Sequence, residues 1–191
     1  MDTSSPPAEP LLVDIPQALH SDRLFMRTPT PGDGALILPA VRESLPELKP
    51  WMPWATDNYD LASAEQWCRR TIAAFHLRQV VPYLLFFDGA HVGTITAYDI
   101  HWDVPEAEIG YWLRTSMCSR GFMTEAVGRL RSLLMNDLNV ERIVIRTDVH
   151  NVASRRVAER SGFRCEGTFR HDSRTPSGAL RDTALYAMTR S

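Results

Sequence analysis

The sequence is short of lysine, of cysteine and of long apolar runs. Lys49 is the single lysine among 21 cationic residues, an arginine bias from which nothing functional follows. Cys68, Cys118 and Cys165 are odd in number and far apart, which suits a reducing compartment and argues against both a disulfide framework and a zinc site. His101, His150 and His171 are not spaced as ligands either, so no metal is expected. No apolar run approaches the ~20 residues of a membrane span, and no basic start leads into an apolar stretch. The expectation is a cytoplasmic protein with no membrane partner. A net charge of −2 suggests no nucleic acid partner. With neither GxSxG nor a P-loop, nothing supports a hydrolase or a kinase.

What is present fits one globular domain. Hydrophobic residues make up 44% of the 191 and charged residues 23%, enough apolar mass for a sizeable core. Residues 1–10, with Pro6, Pro7 and Pro10, read as a flexible leader, and 11–191 as a single domain without internal repeats. Charge is segregated. Residues 1–110 hold 15 acidic and 7 basic side chains, whereas 111–191 hold 8 and 14. Either this is chance on a solvated surface, or a basic half meets a phosphate-bearing ligand and an acidic half meets a cationic amine.

Hydrophobic periodicity gives the elements. An arm or short strand is expected at Leu11 to Ile15, a strand at 23–27, and a helix from about Gly34 to Glu43. Next comes LPELKPWMPWA, where Pro46, Pro50 and Pro53 predict a stiffened loop carrying Trp51 and Trp54. Those indoles either fold back onto the core or line a pocket. A second helix is expected over 62–78. Strands at 83–87 and 91–98 flank Asp88-Gly89, a hairpin signal. A strand over 106–113 extends the meander, and a strand at 142–147 follows a long helix, which implies parallel pairing. A helix over 151–160 and two closing strands at 163–169 and 180–189 complete the chain.

The organising stretch is Ala107 to Val127, AEIGYWLRTSMCSRGFMTEAV. Ile109, Tyr111 and Leu113 alternate as a strand does, and Met123, Ala126, Val127 and Leu130 recur at helical spacing. The helix therefore starts close to Gly121. Its first NH groups lack helical partners and carry roughly half a positive charge. Ser116, Cys118, Ser119 and Gly121, with Arg120 among them, offer donors and little bulk to a phosphate or pyrophosphate.

AEIGYWL, SRGFMTEA and HNVASRRVAERSGFRCEG resemble the signature segments of the GNAT superfamily of acetyl-CoA-dependent N-acetyltransferases, in its RimJ/RimL-like branch. The resemblance runs from about Ile15 to Met188. It implies the GNAT fold: an α/β (α+β) chain with a mixed, mostly antiparallel sheet of about seven strands, helices on both faces, and a splayed parallel strand pair. It also implies acetyl-CoA as cofactor. On that alignment Tyr111, Trp112, Leu113 and Arg114 contact the pantetheine, while Cys118, Ser119, Arg120, Gly121, Phe122, Met123 and Thr124 surround the pyrophosphate. Cys118 stands where the family usually has Gln or Arg, and Ser119 where it usually has Gly. Asn151 and Ser154 resemble the second cofactor contact, Asn151 being alternatively a plain helix cap.

The chemistry implied is direct attack of a neutral amine on the thioester. It needs a donor for the oxyanion, expected as a backbone NH near Tyr111 or Trp112, and a proton for the thiolate. Many GNAT members place a tyrosine for that proton where this chain has Ala158, and by resemblance to RimL-like proteins the role passes to Ser154. A protein α-amine, with a pKa near 7.7–8.0, is partly neutral already and needs little help. Glu108 or Asp172 is the candidate base, Ser173 standing where the branch has been assigned a glutamate. Trp51, Trp54, Tyr83 and Glu108 are the expected acceptor contacts. A depressed, reactive Cys118 thiol is the sharper reading of that residue and a small loop residue the simpler one. The partner is an amine: the N-terminus of a protein or peptide, or alternatively a small amine such as a polyamine, an aminoacyl nucleotide or an antibiotic. A non-catalytic acyl-CoA-binding protein is the reading from another class. A homodimer is compatible with the family.

Overall fold

The computed structural model describes residues 9–190. Of the expected leader, residues 1–8 lie outside the described residues, and Pro10–Leu12 forms one 3-10 turn rather than a strand. Eight strands follow: β1 (Ala18–His20), β2 (Phe25–Arg27), β3 (Val81–Phe87), β4 (Ala90–His101), β5 (Glu106–Leu113), β6 (Arg142–Asp148), β7 (Arg164–Arg174) and β8 (Leu180–Thr189). They make one sheet in the order β1-β2-β3-β4-β5-β6-β8-β7. The extra strand over the expected count is β1, three residues long at the sheet edge.

Four helices cover the sheet: α1 (Gly34–Leu48), α2 (Leu61–His76), α3 (Phe122–Ser132) and α4 (Val152–Arg160). Ile37 and Val41 of α1 and Ala64 and Cys68 of α2 pack with Leu84 and Phe86 on one face. Met123, Val127 and Leu130 of α3 and Ala158 of α4 pack with Tyr83, Leu85, Ile95, Ile109 and Ile145 on the other. Period-2 alternation in β3 and β5 sends odd residues to the α3–α4 face and even residues to the α1–α2 face.

One helix departs from expectation. α1, which already contains Pro39, continues five residues past Glu43, through Pro46, to Leu48. A proline removes one NH and crowds the preceding turn, yet α1 buries Ile37, Ala40, Val41, Ser44 and Leu48 along one side. That continuous buried stripe outweighs the lost bonds.

The feature that positions the site is the junction of β5 and β6. Every other neighbouring pair is antiparallel, and this pair is parallel. Its ladder holds for only three steps, Glu106 with Arg142, Ala107 with Ile143 and Glu108 with Val144. Beyond Glu108 the strands part, while β6 stays paired with β8 as far as Asp148 and Thr183. On its other edge β5 remains bonded to β4, and the Arg114 amide donates to the Val92 carbonyl at 2.8 Å. Antiparallel ladders alternate, so Trp112 and Gly110 also turn their amides to β4. Those of Tyr111 and Leu113 face the gap.

Candidate active site

A cavity of about 930 Å³ runs through that gap. Its lining includes Ile109, Tyr111, Ile145, Asn151 and Ser154 from the α3–α4 side, and Thr94, Thr96, Tyr98, Glu108, Gly110 and Trp112 from the α1–α2 side. A reactant entering from one face can therefore meet a reactant entering from the other.

Glu108, expected as a base, is buried on the α1–α2 side. The Tyr98 hydroxyl donates to its Oε1 at 2.6 Å and Arg146 Nη1 donates to its Oε2 at 2.6 Å. Burial raises the Glu108 pKa, against the lowering effect of those two donors. Tyr98 reaches Glu108 because residue 110 is glycine, where a Cβ would stand 2.8 Å from Tyr98 Cε1. Sequence reasoning missed Tyr98 and Arg146. The available signal was Glu108 between the apolar Ala107 and Ile109, a carboxylate that needs a cation and a donor when buried.

Across the gap, the Tyr111 hydroxyl lies 3.1 Å from the Ser154 carbonyl and 3.2 Å from Ser154 Oγ. A carbonyl only accepts, so both contacts are satisfied together when Tyr111 donates to the carbonyl and receives the serine proton. Burial pushes the Tyr111 pKa up to about 12. Asn151 caps α4, its Oδ1 accepting the Ser154 amide at 3.1 Å, and it lines the cavity as well. Ala158 is wholly buried and supplies no hydroxyl.

The loop before α3 lies beside this cavity rather than in its lining. Gly121 sits at φ +81°, a left-handed conformation that suits glycine, and no side chain caps the helix. Ser119, at φ +61°, takes the same strained region without glycine's freedom. Phe122 and Met123 are buried, so these two offer a ligand only main chain. Two guanidiniums lie near the Phe122 ring, Arg23 at 4.6 Å and Arg120 at 4.8 Å from its centroid. Arg120 also covers Phe87 at 4.9 Å, and its carbonyl accepts from Arg23. Thr124 is half-buried in the first turn.

Two expectations for this segment change. The Ser116 amide, read as a free donor, is spent on Glu43 Oε1 at 3.1 Å, and the Arg114 side chain pairs with Glu43 Oε2 at 2.6 Å. Glu43 of α1 thus ties this turn to the other face of the sheet. The Cys118 thiol is not depressed. Desolvation first and Glu47 second raise its pKa, which favours the simple loop residue over a reactive thiol.

On the acceptor side, Trp51 and Trp54 both line the cavity, joined by Trp67, Tyr59 and Arg70. Tyr83 does not. It is fully buried on the α3–α4 side, and its hydroxyl donates to the Pro16 carbonyl at 2.5 Å. Its parity with Val81 and Leu85 in β3 dictates that direction. Trp112, named as an oxyanion donor beside Tyr111, turns its amide to β4 and its ring into the acceptor side. Asp172 is exposed on β7, three strands from Glu108 in the sheet order. Both candidate bases line the cavity, from different strands. Near Asp172, Arg181 Nε donates to Ser173 Oγ at 2.8 Å. Among the described residues no group of three or more His, Cys, Asp or Glu side chains is placed to hold a metal, and no helix is long and apolar enough to cross a membrane.

Residues 23–164 match the family described as acetyltransferase (GNAT) domain. The chain belongs to the GNAT acetyltransferase family. Its relatives include a ribosomal-protein-serine acetyltransferase of Escherichia coli (strain K12), 28% identical over 143 residues, covering 73% of this chain and 79% of that protein. Among solved structures, Mycobacterium smegmatis RimJ in complex with CoA-disulfide aligns with TM-score 0.83 at 25% identity, over 95% of this chain and 90% of that one. The Microcin C7 self-immunity acetyltransferase MccE, in complex with acetyl-CoA and AMP, aligns with TM-score 0.86 at 19% identity, over 94% and 99%. At that identity the second likeness concerns the fold alone. The splayed β5–β6 pair and the uncapped start of α3 thus belong to a GNAT sheet of eight strands.

Proposed function

We propose that this GNAT enzyme transfers the acetyl group of acetyl-CoA to the α-amine of a protein or peptide N-terminus in the cytoplasm. The carrying observation is the gap itself: β5 and β6 part after Glu108, and one cavity joins both faces of the sheet there. Pantetheine, entering from the α3–α4 side, would pair with the Tyr111 and Leu113 main chain as an added strand does. Its pyrophosphate would rest on the amides of Phe122, Met123 and Thr124, where no side chain competes.

Each step then has a group. The Tyr111 NH faces the gap and is the oxyanion donor, preorganised by the β4–β5 ladder. With the thioester bound, Ser154 turns its one proton from Tyr111 to the departing sulfur and recovers a proton from solvent, while the Tyr111 hydroxyl holds the α4 turn through the Ser154 carbonyl. A proton lost by the amine passes to solvent or to Glu108, whose raised pKa improves it as an acceptor near neutrality. Asp172, exposed on β7 three strands away, is the less suited of the two candidate bases.

The protein N-terminus is preferred because a relative is named a ribosomal-protein-serine acetyltransferase, and because an α-amine needs less help to lose its proton than a lysine, whose pKa is near 10.4. Thiol release from acetyl-CoA, measured with peptides of varied first residue, a blocked peptide carrying lysine and a small polyamine, tests the reading. Release that needs a free α-amine supports it. Release only with the lysine peptide or the polyamine contradicts it. Slow acetyl-CoA loss unaffected by any amine would indicate a binding protein.

A further inference from the structure

The acceptor side of the cavity is aromatic to a degree that the transfer chemistry does not require. Four of the chain's five tryptophans, Trp51, Trp54, Trp67 and Trp112, line it. Three rings form a corner: the Trp54 centroid lies 5.6 Å from Tyr59 and 6.1 Å from Trp112, with planes tilted 54° and 59°. Trp54 is 39% exposed although it sits in a pocket.

The corner's geometry and charge select among ligands. Rings tilted in this way do not make the parallel slot that would sandwich a flat heterocycle. They offer faces and edges to one bulky group, the arrangement in which a further aromatic ring packs edge to face. The wall from α1 through the 51–59 loop to α2 contributes Ile37, Val41 and neutral or aromatic residues, and its one charged member is the cation Arg70. No carboxylate on that wall would hold a second positive charge. The lining carboxylates, Asp99, Glu108, Asp148 and Asp172, all belong to the sheet strands or their bends. The amine therefore faces the sheet and its substituent faces the corner.

We infer that the acceptor carries a bulky aromatic group next to its reacting primary amine, and that the corner of Trp54, Tyr59 and Trp112 holds it. The inference rests on the acetyl-transfer reading and names the class of acceptor. An α-amine on a first residue such as phenylalanine or tryptophan meets both halves of the requirement, and Trp112 is the hinge, one residue beyond the Tyr111 amide.

The test uses peptides alike except for a first residue of Phe, Leu, Ala, Ser or Lys, with spermidine as a small polycation, assayed by thiol release on the wild-type protein, Trp54→Ala and Trp54→Phe. The wild type should favour the Phe peptide over the Ala peptide in kcat/KM by about tenfold or more. Trp54→Ala should pull that ratio toward one, mainly through KM, and Trp54→Phe should largely restore it. Calorimetry with acetyl-CoA checks that each variant is folded and loads cofactor. Preference of the wild type for Ala, Ser, Lys or spermidine would overturn the inference, as would an unchanged Phe-to-Ala ratio in a Trp54→Ala protein that binds acetyl-CoA normally. Absence of thiol release with every amine would instead count against transfer itself. The corner is then read by calorimetric titration of the Phe and Ala peptides into the CoA-loaded protein, where equal affinities would overturn it.

Discussion

The two walls of the cavity are held in different ways. The sheet wall is fixed by the β4–β5 ladder and the Tyr98–Glu108 bond beside it, and by bonds that cross the gap, Arg146 to Glu108 and Tyr111 to Ser154. The helical wall hangs on a loop whose turns include Trp51 N to Leu48 O at 2.9 Å and Ala55 N to Met52 O at 3.0 Å, with an exposed ion pair between Lys49 and Asp57. Chemistry that must be met within fractions of an ångström sits on the first, and recognition of a variable partner sits on the second. The fold can keep its reaction while the loop changes acceptor.

Substitutions sharpen that contrast, beginning with the largest effect. Asp33 anchors α1, and so the helical wall, to β2 through a two-pronged bond with Arg27 at 2.6 and 2.7 Å. Asp33→Asn should cost about 3 kcal/mol of unfolding free energy, the scale for breaking a mostly buried pair, read by denaturant melts. The pH dependence has a defined sign. Burial alone would raise the Asp33 pKa, but bonds from Arg27 and Thr30 outweigh it and hold the carboxyl below its ordinary value. The contribution is therefore complete above about pH 4 and fades as pH falls through the folded-state value. The wild type should lose this increment in acid, and Asp33→Asn should not.

On the sheet wall, Ser154→Ala should lower kcat about a hundredfold, the range for a positioned proton donor, with acetyl-CoA affinity by calorimetry unchanged within a few fold. Tyr111→Phe should lower kcat less, and the double variant should fall little below Ser154→Ala alone. Full additivity would mean that Tyr111 acts independently of the serine. Next, Gly110→Ala would drive a methyl into the Tyr98 ring and should destabilise by about 2 kcal/mol, measured as a fall in Tm. The smallest effect is expected for Cys118→Ser, with kcat/KM within about twofold of wild type. At pH 7.5 iodoacetamide should modify Cys118 more slowly than a free cysteine, in keeping with its raised pKa.

Legibility followed the same division. β5 spans Glu106–Leu113 as its alternation predicts, and α3 begins just after Gly121 as the apolar spacing predicts. Both signals are local. α1 was truncated at Glu43 because Pro46 reads as a breaker, and a helix can absorb a proline where its buried face continues to Leu48. The partners of Glu108 lie 10 and 38 residues away in sequence, so no local pattern names them. Tyr83 shares the parity of Val81 and Leu85, and that alternation, not its aromatic ring, decides that it joins the core. The tryptophans of the 51–54 loop were legible as a pair, whereas their meeting with Tyr59 and Trp112 depends on how a strand and a loop cross.

The central claim is that β5 offers the main chain of alternate residues to the pantetheine arm where β6 departs. Amide hydrogen exchange, resolved to single residues with and without acetyl-CoA, tests it most directly. The amides of Tyr111 and Leu113 and those of Phe122 to Thr124 should slow on binding, while Trp112, already bonded to β4, should change little. Unaltered exchange at Tyr111 and Leu113 in the presence of saturating acetyl-CoA would contradict the account.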